Sequence, residues 1–256
     1  MILVMSGTAD GRELVRELNR RGKKLLTTVA TAYGSALYED MGLSELCVEG
    51  RLDKEGMIKF IEENGIDTII DATHPYAKDA SKNAIAACQV KGIRYIRLER
   101  NSTQLPQSPR SHLVKMAKDL EEAVELSSSL GKRILVTTGY NSISSFIRLR
   151  YKNDLVVRIL PVPEHIQGCI KLGIPPWNIH ALQGPFSREF NRATIKEFNI
   201  DVVVTKDGGK EAKTLEKIEA CLEESIPIVV IQRPSLDYPL VCSSIEEVLE
   251  VVGDGL

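Results

Sequence analysis

Glycines and polar side chains cluster in a turn near the start of the chain. Residues 6–12 read S-G-T-A-D-G-R and stand between an apolar run and a segment of helical periodicity. Backbone N–H groups at the start of a helix bind phosphate, and glycines let a ligand approach them closely. The spacing is not G-x-G-x-x-G, so a simple tight turn is the alternative to a pyrophosphate site. The candidate cofactor-binding residues are Gly7, Thr8, Ala9, Asp10, Gly11 and Arg12.

Thr31 marks the end of the next apolar run. Residues 29–31 read V-A-T, whereas an enzyme that uses NAD usually carries Asp or Glu here to bind the ribose hydroxyls. The missing acid favours NADPH over NADH, although no Arg stands there to pair with a 2′-phosphate. Thr31 is therefore a further candidate cofactor-binding residue.

The third apolar run leads into D-A-T-H-P-Y-A at residues 71–77. Ionisable and aromatic groups are costly to bury, so we expect this segment to face a binding site. The alternative is that Thr73 caps the following helix and Asp71 binds loop amides. The next run places Arg97 and Glu99 on one face, as a solvated edge strand would also do. The candidate cofactor-binding residues of the segment are Thr73, His74 and Pro75.

Polar groups also follow the apolar runs of the second half. Arg158 lies inside the run 155–160, where a charge needs a partner or a ligand. Residues 205–210 read T-K-D-G-G-K, a glycine-containing turn that suits an anion. The chance placement of a surface Lys or Arg explains any one of these cations. Several cations at the ends of strands are better explained by one anionic ligand that binds in a cleft beside them. The candidate substrate-binding residues are Thr138, Gly139, Arg158, Gln183, Gly184, Pro185, Phe186, Ser187, Asn191, Lys206, Gly208, Gly209 and Arg233.

Short apolar runs alternate with amphipathic segments along the whole chain. Strands of a parallel sheet that is covered by helices on both faces have this pattern, so we predict an α/β fold. The predicted strands are 2–5, 25–29, 68–70, 95–98, 134–136, 155–160, 179–182, 202–204 and 228–231. The predicted helices are 11–21, 54–64, 79–91, 117–128, 188–198 and 210–223.

Residues 101–111 interrupt this alternation, because they are polar, contain two prolines and show neither helical nor strand periodicity. We interpret them as a connection between two domains. The first domain, 1–100, would bind the dinucleotide, and the second, 112–256, would form the cleft for substrate and cofactor. A long surface loop inside one large sheet is the alternative.

Composition argues against several classes of protein. The chain has 256 residues, and 33 Lys and Arg against 35 Asp and Glu give a net charge of −2. That balance disfavours binding of nucleic acid through bulk positive charge. No apolar run approaches the ~20 residues of a membrane span, and the chain start lacks the features of a signal peptide. Five scattered cysteines without C-x-x-C indicate a reducing cytoplasm, and four histidines form no zinc motif, so we expect no metal site.

In their order along the chain, these motifs resemble the precorrin-6A reductase family of corrin biosynthesis, which includes the cobalt-precorrin-6A reductases. The most specific motifs are D-A-T-H-P-Y-A at 71–77 and Q-G-P-F-S at 183–187, and the resemblance extends from residue 7 to 234. Two positions depart from the family pattern. Family members often read R-x-x-R-P where this chain has Arg100-Asn101, and they often carry a serine where this chain has Gly208, which removes a hydroxyl from that position.

The resemblance implies two Rossmann-like domains with mostly parallel sheets and a nicotinamide cofactor in the cleft between them. It implies NAD(P)H-dependent reduction of a ring double bond of precorrin-6A, or of its cobalt form, to the corresponding precorrin-6B in cobalamin biosynthesis. The substrate would be a polycarboxylate macrocycle, for which Arg158, Lys206 and Arg233 offer charge-assisted hydrogen bonds. Candidate proton donors are His74, Tyr76 and Asp207, with water as the alternative. We expect a cytoplasmic enzyme with neither nucleic acid nor membrane as a partner.

Two other functions remain open from the sequence. One is a bilobed tetrapyrrole-modifying enzyme without a nicotinamide, which NADPH would not protect from thermal unfolding. The other is a dinucleotide-sensing regulatory protein. That function would leave the cations of the second half unexplained.

Overall fold

The computed structural model describes residues 1–99, 103–210 and 212–253, and it divides into two compact units. Unit 1 comprises Met1–Asn101 together with Ser235–Leu256, and unit 2 comprises Ser102–Pro234. Each unit contains a six-stranded sheet in which every strand pair is parallel. The predicted α/β fold with two Rossmann-like sheets is therefore confirmed.

The bounds of the elements follow in chain order for the described residues. The strands are β1 (Ile2–Ser6), β2 (Leu25–Val29), β3 (Cys47–Glu49), β4 (Thr68–Ala72), β5 (Arg94–Leu98), β6 (Val114–Ala117), β7 (Arg133–Val136), β8 (Asp154–Ile159), β9 (Ile179–Ala181), β10 (Val202–Lys206), β11 (Ile228–Ile231) and β12 (Val241–Cys242). The helices are α1 (Ala9–Arg20), α2 (Ala32–Asp40), α3 (Lys54–Asn64), α4 (Lys78–Lys91), α5 (Leu120–Leu130), α6 (Ile143–Phe146), α7 (Pro163–Lys171), α8 (Arg188–Glu197), α9 (Thr214–Glu223) and α10 (Ile245–Gly253). None of these helices has the length and apolar character that crossing a membrane requires.

Helix α3 illustrates how the sequence sets an element's ends. The carboxylate of Asp53 accepts a hydrogen bond of 2.8 Å from the backbone N–H of Gly56, which satisfies a free donor of the first turn. The helix ends at Gly65, whose φ of 59° is left-handed and favours glycine. Between these caps, Met57 and Ile61 are buried one turn apart against the sheet.

The sheet of unit 1 has the order β12-β5-β4-β1-β2-β3. Its central strands β1 and β4 are buried at every residue, because helices cover both faces. One face packs against α1 and α10, and the other packs against α3 and α4. The carboxyl ends of β1, β2 and β4, where the candidate cofactor-binding residues follow, therefore lie along one edge of this sheet.

The sheet of unit 2 has the order β6-β11-β10-β7-β8-β9. Leu135, Val156 and Val203 extend from one face and pack against Ile195 of α8 and Ile218 of α9. Strands β7, β8 and β10 are neighbours, so the polar residues that follow them share one edge of this sheet.

The structure departs from the predicted elements mainly at the edges of the sheets. All nine predicted strands are present, but β3, β6 and β12 were missed because they are short and partly exposed. Helices α2, α6, α7 and α10 were also missed. The second domain was predicted to extend over 112–256, but residues from Ser235 onward belong to unit 1, because β12 pairs with β5. In the predicted connection 101–111, Asn101 and Ser102 lie outside the described residues.

Tyr238 connects this returning segment to unit 1, and its replacement tests the revised boundary. Its ring stacks on Tyr95 at 6.4 Å between centroids, and the guanidinium of Arg97 lies 5.2 Å from its centre. We expect Tyr238→Ala to lower the free energy of unfolding of unit 1 by about 2 kcal/mol, measured as a lower urea midpoint at an unchanged slope. Tyr151→Ala, at a ring that is 78% exposed, is the control and should cost less than about 0.5 kcal/mol. Equal effects of the two changes would contradict the assignment.

Candidate functional site

The turn between β1 and α1 is held by the hydroxyl of Thr8. This oxygen accepts a hydrogen bond of 3.1 Å from the N–H of Gly11 and donates one of 3.0 Å to the carbonyl of Ala72, at the end of β4. A Cβ on Gly11 would lie 2.7 Å from Oγ of Ser6, so a larger residue would displace the turn. The turn is thus anchored both to its own helix and to the neighbouring strand.

A buried network of hydroxyl groups, which was not predicted, lies beneath this turn. The hydroxyl of Tyr38, on α2, donates to Oγ of Ser6 at 2.6 Å, and Oγ1 of Thr27 donates to the carbonyl of Val4 at 3.0 Å. Tyr38 is fully buried, and this burial raises the pKa of its phenol. Since Ser6 contacts the position where a Cβ of Gly11 would stand, the network fixes the floor of the turn.

The loop after β4 lies against the same turn. A Cβ on Gly7 would be 3.7 Å from Cα of Thr73 and 3.7 Å from the backbone nitrogen of His74. Two groups of candidate cofactor-binding residues, at 7–12 and at 73–75, are therefore brought together. Thr31 follows the adjacent strand β2, where it caps α2 by accepting a hydrogen bond of 3.2 Å from the N–H of Gly34.

Asp71 organises the loop after β4 from inside the sheet. Its side chain is completely buried, so its charge requires several donors. It accepts hydrogen bonds from Thr73 N–H at 3.0 Å, Thr73 Oγ1 at 2.6 Å, Ser81 Oγ at 2.6 Å, Tyr95 hydroxyl at 2.6 Å and Arg97 Nη1 at 2.9 Å. The alternative interpretation, in which Asp71 binds a loop amide, is confirmed for the N–H of Thr73. Thr73 does not cap α4, because the residue at that position is Ala77.

Arg97 is the cationic partner of Asp71 and is only 1% exposed. Its Nε also donates to Glu99 at 3.0 Å, and its Nη1 lies 3.2 Å from the hydroxyl of Thr73. Burial alone would lower the pKa of Arg97, but the two carboxylates raise it above its usual value. The alternative of a solvated edge strand for Arg97 and Glu99 is wrong, because β12 covers that side of β5. Arg100, which belongs to the same motif, lies outside the described residues.

His74 and Tyr76 are the ionisable side chains of this loop that reach its surface. His74 is exposed and Tyr76 is half-buried, with 5.4 Å between their ring centroids. Nδ1 of His74 accepts a hydrogen bond of 3.4 Å from the backbone N–H of Tyr76. An acceptor role at Nδ1 places the proton of a neutral imidazole on Nε2.

In unit 2, Arg158 gathers several of the residues predicted to bind substrate. It is 6% exposed, its Nη1 donates to Oδ1 of Asn191 at 3.0 Å, and its guanidinium lies 4.7 Å from the ring centre of Phe186. Asn191 in turn donates to the carbonyl of Ser187 at 2.7 Å. Burial lowers the pKa of Arg158 to about 10. Gln183, Gly184 and Pro185 precede this group as an exposed segment with a cis Gly184–Pro185 bond.

The loop after β10 forms a second group, centred on Asp207. This carboxylate is buried and accepts hydrogen bonds from Oγ1 of Thr103 at 2.6 Å and from the N–H of Gly209 at 3.1 Å. Nε of Arg233 lies 3.7 Å from the carboxylate and donates to the carbonyl of Asp207 at 3.1 Å. Lys206 is half-buried, which lowers the pKa of its amine. These contacts use Asp207 as an acceptor that shapes the loop, while Gly208 and Gly209 provide its backbone.

Thr138 and Gly139 follow β7, the strand between β8 and β10. The hydroxyls of Thr138 and Ser142 are 2.6 Å apart, and Gly139 adopts a φ of 86°, which disfavours other residues. Within 1–99, 103–210 and 212–253, no group of three or more His, Cys, Asp or Glu side chains could hold a metal ion.

The ion pair of Asp71 with Arg97 and the hydrogen bond of Tyr38 to Ser6 were missed, because the two partners lie 26 and 32 residues apart in sequence. The alternation of Arg97 and Glu99 indicated a shared face but not which face was buried. A usable signal was the position of Asp71 and Arg97 at the carboxyl ends of adjacent predicted strands, where opposite charges pair.

Comparison with known proteins gives consistent results over the length of the chain. The family model described as precorrin-6x reductase CbiJ/CobK matches residues 1–253. The chain is 38% identical to the cobalt-precorrin-6A reductase of Priestia megaterium, with 98% of each chain covered. It is 30% identical to the precorrin-6A reductase of Rhodococcus erythropolis, over 92% of this chain and 90% of that one. The solved structure of CobK precorrin-6A reductase has the same fold, with a TM-score of 0.79 at 23% identity over 99% of this chain and 96% of that one.

Replacement of Asp71 tests whether its pairing with Arg97 holds unit 1 together. Asp71→Ala leaves Arg97 buried with one carboxylate fewer, so we expect a loss of about 3–5 kcal/mol in the free energy of unfolding. Asp71→Ala combined with Arg97→Met should cost less than the two single changes together, because no unpaired charge remains. Urea unfolding measures all three, with the exposed Asp237→Ala as the control. Additive effects would show that the pair is not coupled.

Proposed function

The chain belongs to the precorrin-6x reductase CbiJ/CobK family, and we propose that it reduces a ring double bond of cobalt-precorrin-6A to give cobalt-precorrin-6B in cobalamin biosynthesis, with NADPH as the reductant. The observation that carries this proposal is the match of the family model to residues 1–253, which includes every candidate residue of both units.

The turn of unit 1 fits the pyrophosphate of a nicotinamide dinucleotide. The turn precedes the N-terminus of α1, whose helix dipole favours an anion, Gly7 is exposed, and Gly11 leaves no room for a side chain. Residues 7–12 would hold the pyrophosphate, and Thr73, His74 and Pro75 would line the same ligand. When bound, a reduced nicotinamide supplies a hydride, and the residues of the chain bind and orient the reactants.

The surroundings of Thr31 support NADPH as the cofactor. Thr31 stands at the carboxyl end of β2, next to β1, where an acid would bind the ribose hydroxyls of NADH. Residues 30–32 are Ala, Thr and Ala, so no carboxylate in this segment would repel a 2′-phosphate. Thr31 also caps the N-terminus of α2, and the dipole at the N-terminal end of a helix favours an anion.

Unit 2 supports a substrate rich in carboxylates. Arg158 lies one residue before the end of β8, Lys206 ends β10, and Arg233 follows β11. Charge-assisted bonds from such cations to carboxylates are among the stronger polar contacts. The cobalt form is proposed because the relatives at 38% identity are named for it, whereas the relative at 30% identity is named for the metal-free form.

Among the candidate proton donors, the contacts favour His74. Asp207 accepts hydrogen bonds from Thr103 and Gly209, whereas the imidazole of His74 is exposed at the surface of its loop. An imidazole also changes its charge near neutral pH, which suits a general acid.

Consumption of NADPH in the presence of the macrocycle tests the proposal directly. We expect oxidation of NADPH when cobalt-precorrin-6A is added, with slower oxidation for metal-free precorrin-6A and for NADH. Loss of NADPH absorbance and mass spectrometry of the macrocycle, which should gain two hydrogens, measure the reaction. If neither macrocycle is reduced with either cofactor, the proposal is wrong.

Gly11→Ala tests the cofactor site. A Cβ at this position meets Oγ of Ser6 and Cβ of Ala72, so the turn must move away from its anchored position. We expect the dissociation constant for NADPH, measured by fluorescence titration, to rise by about ten- to a hundredfold. Gly253→Ala, where a Cβ meets open space, is the matched control. An unchanged constant for Gly11→Ala would place the dinucleotide elsewhere.

His74→Gln tests the proton donor. We expect kcat to fall by roughly 10²–10⁴, as is typical for loss of a general acid, while the dissociation constant for NADPH changes little. His112→Gln, at an exposed histidine of unit 2, should leave kcat unchanged. A normal kcat in His74→Gln would show that His74 is not the proton donor and would leave Tyr76 or water as the candidates.

A further inference from the structure

Arg158 is a buried cation whose neighbours do not neutralise it. It extends from the interior of β8 on the face of Val156, which packs against α8 and α9. The oxygen it contacts belongs to the neutral amide of Asn191, and the ring of Phe186 covers one face of the guanidinium. A guanidinium has five N–H donors in its plane, so this arrangement leaves an edge of Arg158 for further acceptors.

Lys217 places a second cation in the same region. It lies on the first turns of α9, and its Nζ donates to the carbonyl of Ala212 at 2.9 Å. Burial, followed by the charge of Arg158, lowers the pKa of Lys217 to about 8. His180, which is paired with Arg158 in the sheet register, has its pKa lowered by burial and by the same charge. The charge of Arg158 therefore acts on both Lys217 and His180.

No carboxylate among residues 1–99, 103–210 and 212–253 forms an ion pair with Arg158 or Lys217. Glu216 is the acidic residue whose charge acts on Lys217, but it lies beyond ion-pair distance. Desolvated charges are normally paired, because an uncompensated charge opposes folding. The contrast with Arg97, which has two carboxylate partners, indicates that Arg158 serves something other than stability.

We propose that Arg158 and Lys217 together bind one carboxylate side chain of the substrate, which supplies the negative charge that none of the described carboxylates places beside them. Asn191 and Phe186 act as positioning residues that fix the plane of the guanidinium, so that its free edge meets the carboxylate in the bidentate geometry of arginine. This inference rests on the proposed function and specifies where one acid group of the macrocycle binds.

Arg158→Met distinguishes a ligand-binding role from a structural one by the sign of its effect on stability. If the substrate supplies the missing charge, the free protein becomes more stable without Arg158, and its Tm rises by about 2–4 °C. At the same time the KM for cobalt-precorrin-6A rises by about ten- to a hundredfold with little change in kcat, as expected for lost uniform binding. A lower Tm, or failure to fold, means that Arg158 is structural and overturns the inference.

Arg148→Met is the matched control in the same unit. Arg148 is half-exposed and pairs with Glu121 on the surface, so both the KM and the Tm should remain close to those of the wild type. The dissociation constant for NADPH should be unchanged in both variants, because the inference concerns the macrocycle alone.

The pH dependence of kcat/KM tests Lys217 separately. In the free enzyme Lys217 loses its proton near pH 8, with Arg158 of β8 and Glu216 and Cys221 of α9 as the groups that act on its charge. We therefore expect kcat/KM for the macrocycle to fall above about pH 8. In Lys217→Arg, whose guanidinium stays charged, this fall should disappear. If kcat/KM still falls above about pH 8 in Lys217→Arg, Lys217 does not bind the carboxylate of the substrate.

The outcomes separate this inference from the proposed function. A wild-type enzyme that reduces no macrocycle overturns the proposed function and the inference with it. A wild-type enzyme that reduces cobalt-precorrin-6A, with an unchanged KM in Arg158→Met, overturns the inference alone.

Discussion

The carboxylate of Asp71 cannot be buried without donors, and this requirement shapes the functional edge of unit 1. Its five hydrogen bonds come from the loop after β4, from α4 and from β5, so these elements must keep a fixed arrangement around one charge. Arg97 extends the network to Tyr238 in the returning C-terminal segment. The loop that carries Thr73 and His74 is thus positioned by a structure buried beneath it rather than by its own sequence.

Arg158 in unit 2 is also a buried cation, but its surroundings differ from those of Arg97. Both arginines are almost fully buried in a parallel sheet, yet Arg97 has two carboxylate partners and Arg158 has an amide and an aromatic ring. A paired charge fixes the geometry of its surroundings before any ligand arrives. A charge without a counterion stores unfavourable energy that a bound anion relieves, which makes binding more selective for ligands that carry a carboxylate.

The fold could be predicted from the sequence because strands buried on both faces are continuous apolar runs. The runs at 25–29 and 228–231 coincide with β2 and β11, whereas β12 has two residues and no pattern of its own. The sequence also predicted that the glycine turn follows the first strand and that Arg158 lies inside a strand, because both positions are defined by the apolar runs. The partners of Asp71 were not, because Tyr95 and Arg97 are more than twenty residues away and only the three-dimensional pairing of β4 with β5 brings them together.

Under the proposed function, unit 1 would bind the dinucleotide and unit 2 the acid groups of the macrocycle. A dinucleotide presents the same pyrophosphate in every reaction, so a turn held rigidly by Thr8, Ser6 and Ala72 loses little entropy on binding it. A macrocycle with many acid groups would instead be recognised through cations such as Arg158, which is buried beside a neutral amide and an aromatic ring. Because a ligand without a carboxylate at this position would leave the buried charge of Arg158 without a counterion, the cost of burying this charge in the free protein would become discrimination among ligands in the complex.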